Sequence, residues 1–249
     1  MKSAIMYHLA EMKKPLLIYY SIVIFLLLAS FLTAEVLTFV SFNLNGTVIN
    51  GIEVSSMIFI LVSGMNSFKE TFRMFLQNGR SRKTLFLSFL CSLLPLTGAM
   101  AIIDTSLGAI GRSLDYYQSI FDVYLQQYFS NSSSLVSYLV GLSLGIFFYA
   151  TCAFVGYFIT TLYYRMNKGL KLLVSIGVPV LLIIVLPIVD MSYAHGAISR
   201  GIGRLFLLAS GAKAGFNPLY PLASCVIVSI ALAGLTYLLQ RRAVIKEQV

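Results

Sequence analysis

Leu135–Tyr163 reads LVSYLVGLSLGIFFYATCAFVGYFITTLY, without one charged side chain. At about 1.5 Å per residue an α-helix of this length exceeds the roughly 30 Å hydrocarbon core of a bilayer. Further apolar runs lie at residues 15–41, 53–68, 84–111, 172–189 and 217–239. The 249-residue chain is 58% apolar and 11% charged, with mean hydropathy +0.87, against about 25% charged in soluble domains. So few charges cannot cover a water-soluble surface. In lipid every backbone polar group must be satisfied internally, which leaves helices as the natural spanning element here. The reading is an all-α polytopic membrane protein with six transmembrane helices, one domain over residues 1–249. The second and fifth runs are near the short limit for a crossing, and Pro179 with Pro187 predicts a kinked or broken fifth helix.

The formal net charge of +9 has a topological reading. Basic residues gather at Lys2, Lys13 and Lys14, between Lys69 and Lys83, at Arg165, Lys168 and Lys171, and at Arg241, Arg242 and Lys246. With six spans all these fall on one side, leaving only Arg112, Arg200, Arg204 and Lys213 opposite. By the positive-inside rule both termini are cytoplasmic in a multi-pass cell-membrane protein, and the high pI needs no nucleic acid. Cys91, Cys152 and Cys225 are far apart in apolar runs, unlike a disulfide framework or a zinc module. The first apolar run is too long for a signal h-region and lacks an A-x-A site, so it reads as a retained span.

Two cytoplasmic segments carry pattern. Residues 1–14, MKSAIMYHLAEMKK, place Ile5, Leu9, Met12 and Leu16 at helical spacing, which predicts an interfacial elbow helix turning at Pro15 into the first span. Residues 67–86 read SFKETFRMFLQNGRSRKTLF. Phe68, Phe72, Phe75 and Leu76 form one apolar face, with Lys69, Glu70, Arg73 and Gln77 around the rest. Asn78-Gly79 supplies a helix stop and Ser81 an N-cap for the following span. A short amphipathic helix therefore ends in a compact basic turn, Arg80-Ser81-Arg82-Lys83.

The six spans, the elbow and above all Asn78-Gly79-Arg80-Ser81-Arg82-Lys83-Thr84 resemble the membrane subunits of the type-2 ABC exporter family. In that family the short helix between spans two and three is a coupling helix gripped by an ATP-binding subunit. The resemblance implies that Phe68 to Lys83, with Lys69, Arg73, Gln77, Asn78 and Arg80 as contacts, dock on such a partner. It also implies a second copy of this chain or a paralogous permease, a bacterial membrane, and an amphipathic or hydrophobic cargo. ATP and Mg would be held by the partner. This chain has no Walker A run: Gly79 to Thr84 lacks the second glycine and the preceding strand. No nucleophile elbow, HExxH or Cys/His arrangement points to an enzyme either; His8 and His195 each stand alone.

On the other side, residues 112–134 place Leu114, Tyr117, Phe121, Tyr124, Leu125 and Tyr128 on one helical face, an interfacial anchor or a lid for amphipathic cargo. Residues 190–216 read as interfacial or re-entrant helices. Gly141, Gly145, Cys152 and Gly156 form a small-residue stripe suited to close helix contact. Helical rise from Thr84 puts Asp104 near the outer boundary, and no acidic residue falls clearly at midplane. That ranks a secondary transporter, or a capture module without an ATPase, second to the exporter subunit.

Overall fold

The computed structural model describes residues 2–39, 51–113, 117, 119–129, 135–192 and 195–241. They form an all-helical bundle: α1 (Lys2–Phe39), α2 (Ile52–Gln77), α3 (Arg82–Ser113), α4 (Ile120–Gln126), α5 (Leu135–Arg165), α6 (Lys168–Val180), α7 (Leu186–Ser192), α8 (Ala197–Ala209) and α9 (Leu219–Arg241). A π-helical segment, Leu181–Val185, joins α6 to α7. Five helical stretches are long and apolar enough to cross a membrane: Ser3–Thr33, Arg82–Ser113, Leu135–Arg165, Lys168–Ser192 and Leu219–Arg241. The sixth expected span, Ile52–Phe68, is apolar but shorter, and it continues without a break into the segment expected as a separate coupling helix.

That continuity has a local cause. No residue between Ser63 and Gln77 breaks a helix except Gly64, and Gly64 is used for packing. A Cβ there would strike the backbone carbonyl of Ala153, and one at Gly156 would strike that of Leu61. These two glycines let α2 and α5, the most extensively packed pair, approach backbone to backbone. Gly141 and Gly145 of the same stripe face Leu125 and Ala101, so the stripe seals contacts within the chain.

The apolar face of 68–76 turns inward. Phe68, Phe72 and Phe75 are buried, and Phe68 and Phe72 meet Tyr164 of α5 edge to face, ring centroids 5.5 Å apart in both cases. Phe68 also meets Tyr157 at 5.4 Å, and Phe89 of α3 stacks on that tyrosine at 3.9 Å. Aromatic pairs of this kind add to the area they bury.

The N-terminal segment departs from its expected elbow. α1 runs unbroken through the exposed Pro15, and there is no turn at that residue. Ala4, His8, Met12, Tyr20 and Val23 form its buried face. His8 is covered because its imidazole stacks on Phe75 at 6.0 Å and meets the edge of Phe89 at 6.3 Å. The segment thus packs on an aromatic wall of the bundle.

α6, the π segment and α7 keep every side chain except Asp190 from full burial. The π segment falls between Pro179 and Pro187, where missing amides interrupt the regular ladder. Asp190 is buried and caps α8, accepting from the Ile198 and Ser199 amides at 2.8 and 2.9 Å. The described residues of 190–216 thus include the end of α7, then α8 and a 3₁₀ turn, Ala212–Ala214. All three cysteines are free.

Candidate functional site

One end of the bundle gathers the basic turn. Gly79 has φ +68°, the left-handed conformation that closes a helix. Arg80 N–H donates to the Phe75 carbonyl at 2.9 Å and Gly79 N–H to that of Leu76 at 3.0 Å, the paired bonds of a Schellman motif. Ser81 Oγ accepts the Thr84 amide at 3.2 Å, capping α3 as expected. The turn is therefore fixed at both sides by backbone geometry. Gln77, Asn78, Gly79, Arg80, Ser81 and Lys83 are exposed, and Arg82 is half-buried because its guanidinium donates to the Arg241 carbonyl at the end of α9, 2.6 Å away. Lys69, Glu70 and Arg73 lie on α2, and their side chains fall outside the described residues.

Clefts flank this turn. One of about 360 Å³ opens between the start of α1 and Asn78 and Arg80. Another of about 250 Å³ lies between Ser81–Lys83 and the end of α9. What the structure offers here is a rigid, polar, cationic knob with recesses beside it, continuous with a bundle helix whose other face is buried.

Towards the opposite end the bundle buries two carboxylates. Asp104 of α3 is 4% exposed and Glu53, in the first turn of α2, 1%. Asp104 accepts from the Tyr20 hydroxyl of α1 at 2.9 Å and from the Tyr149 hydroxyl of α5. Tyr19 and Ser56 share a hydrogen bond at 3.0 Å between α1 and α2. Neither Glu53 carboxylate oxygen has a partner of full hydrogen-bond geometry among the described residues, although the Tyr117 hydroxyl approaches it as a donor. Tyr117 is buried beside this group; burial and then the nearby Glu53 charge push its phenol above its ordinary range. Arg112 pairs with Asp122 and donates to the Tyr138 hydroxyl at 3.2 Å, closing α3 onto α4 and α5.

Helical rise alone places Asp104 near the outer boundary. Height along a helix says nothing about azimuth, and both carboxylates turn into the bundle. The signal that was present is the coincidence of an acidic residue with tyrosines on neighbouring spans, Tyr19 and Tyr20 among them.

Near this end an apolar cavity of about 280 Å³ opens between Met57, Phe121, Tyr124, Leu144, Phe148 and Phe206. Its rim includes α4, much shorter than the amphipathic helix expected over 112–134: α3 runs on to Ser113 and the second helix covers only Ile120–Gln126. Leu125 is fully buried and Tyr124 donates to the Ser210 carbonyl at 2.5 Å, tying α4 to the turn after α8. Leu114 lies outside the described residues. No family model matches the chain, and no curated protein or solved structure is found to be similar to it.

Proposed function

We propose that this chain is the permease subunit of an ATP-driven exporter of the type that its basic turn resembles. Six crossings, with Ile52–Phe68 as the short one, put both termini and Arg80–Lys83 in the cytoplasm of a bacterial cell. Two copies, or one copy and a paralogue, pair with two ATP-binding subunits, and ATP hydrolysis takes place on those partners. The observation that carries the reading is the Asn78–Lys83 turn, held by a Schellman motif and an N-cap at the end of a helix whose aromatic face is locked into the bundle. A lever must be stiff and seated, and its outer end must be polar to dock on a soluble protein. Closure of the partners would then tilt α2 against α5 and open a path for an amphipathic peptide, antimicrobial, toxin or lipid. The apolar cavity beside α4 has the chemistry to receive the apolar part of such a cargo.

Co-purification with an ATP-binding subunit, followed by cargo-stimulated ATP hydrolysis in proteoliposomes, tests this. Arg80→Glu is expected to weaken association at least tenfold while leaving the melting temperature of the isolated chain unchanged, since Arg80 is exposed. Failure of any ATP-binding subunit to associate, together with transport insensitive to ATP, overturns the reading. The buried carboxylates favour a second one, a transporter driven by a cation gradient without an ATPase.

A further inference from the structure

We propose that Glu53 and Asp104 form a binding site for one small monovalent cation, a proton or a sodium ion. Both line a cavity with Asp122, Ser119 and Tyr149 that has room for about one water-sized particle, ≈ 10 Å³. Two carboxylates removed from water are costly without positive charge or hydrogen bonds. Asp104 has its hydrogen bonds, from the Tyr20 and Tyr149 hydroxyls. Glu53 has only the approach of the Tyr117 hydroxyl, short of full hydrogen-bond geometry, although it is almost wholly buried and borders the same space. Its place in the first turn of α2 lets the helix dipole favour negative charge there, but a partial charge does not supply the missing donors.

The groups around Glu53 supply no neutralising partner either. α1 contributes Tyr19 and Tyr20, α5 contributes Tyr149, the segment before α4 contributes Tyr117, and none of these is cationic. The nearby cation is Arg112, and it is paired with Asp122. The cavity size excludes a cargo headgroup. A divalent ion would want six or more oxygens, whereas both Asp104 oxygens already accept from tyrosines, and no cluster of three metal-binding side chains exists among the described residues. A single proton or sodium ion fits the remaining demand.

The cation site stands independently of the ATPase partner, and its test uses the full chain alone in nanodiscs. One arm measures binding of radioactive sodium against a choline background. The other follows protonated-carboxyl absorption by infrared difference spectroscopy across pH. The expected result is either saturable sodium binding that Glu53→Gln weakens at least tenfold, or a titrating carboxyl band that Glu53→Gln removes. The first outcome identifies sodium and the second a proton. Where Glu53→Gln folds poorly, Asp104→Asn takes its place with the same loss expected, and a signal that the folded variant leaves unchanged overturns the proposal. Absence of sodium binding together with absence of any titrating buried-carboxyl band overturns the proposal.

Discussion

Asp104 joins three helices through two hydroxyl donors, Tyr20 of α1 and Tyr149 of α5. Asp104→Ala leaves the Tyr149 hydroxyl buried without its acceptor, at about 1–3 kcal/mol, while the Tyr20 hydroxyl keeps the Met100 carbonyl at 3.2 Å. Asp104→Asn keeps one carbonyl oxygen and is expected to cost clearly less. Thermal unfolding in detergent checks the order, and equal losses in the two variants would contradict the hydrogen-bonding account. Gly79 is a residue whose identity the backbone requires, because its φ of +68° disfavours a Cβ. Gly79→Ala should destabilise the turn by about 1–2 kcal/mol, read as faster amide exchange at Gly79 and Arg80. The glycine was legible from Asn78-Gly79 after an apolar stripe. The buried role of Asp104 was not, because its partners come from distant segments of the chain.

At the scale of elements, α2 and α5 decide the stability of the bundle. Gly156 faces the Leu61 carbonyl without room for a side chain. Gly156→Leu must push the helices apart, at about 1–3 kcal/mol or more where backbone is the obstacle. Phe72 is fully buried among aromatic rings, and Phe72→Ala is expected to cost about 3–5 kcal/mol. Unchanged melting of either variant in detergent would refute the packing described for this pair. Helical periodicity revealed the stripe at Phe68, Phe72 and Phe75, since three- and four-residue spacing is a property of the local chain. It could not tell membrane interface from helix neighbour. The same limit explains the N-terminal segment: its period was visible, but the aromatic wall of Phe75 and Phe89 selected Ala4, His8 and Met12 as the buried face.

For the whole molecule, one end collects the start of α1, the Asn78–Lys83 turn and the last residues of α9, while the other collects the ion pair of Arg112 with Asp122 and the turn after α8. Single cysteines at Ser3, Lys83 and Lys213, in a background with the three native cysteines replaced by alanine, test this division. A membrane-impermeant thiol reagent is expected to reach positions 3 and 83 from the same side and 213 from the other. Labelling of 3 and 83 from opposite sides would break the six-crossing topology. The exposed apolar stretch Lys168–Ser192 is expected to face lipid, so lipid-soluble photolabels should mark it more strongly than α5. The amino-acid sequence by itself determined a helical, apolar chain, the helix stop at Gly79, the cap at Ser81 and the apolar stripe beside them, because each depends on residues within a turn or two. Only the tertiary structure decided that α2 runs unbroken, that His8 enters the bundle, and that Glu53 and Asp104 share one cavity. Those outcomes depend on which faces of distant helices pack together, and local chemistry does not encode that azimuth.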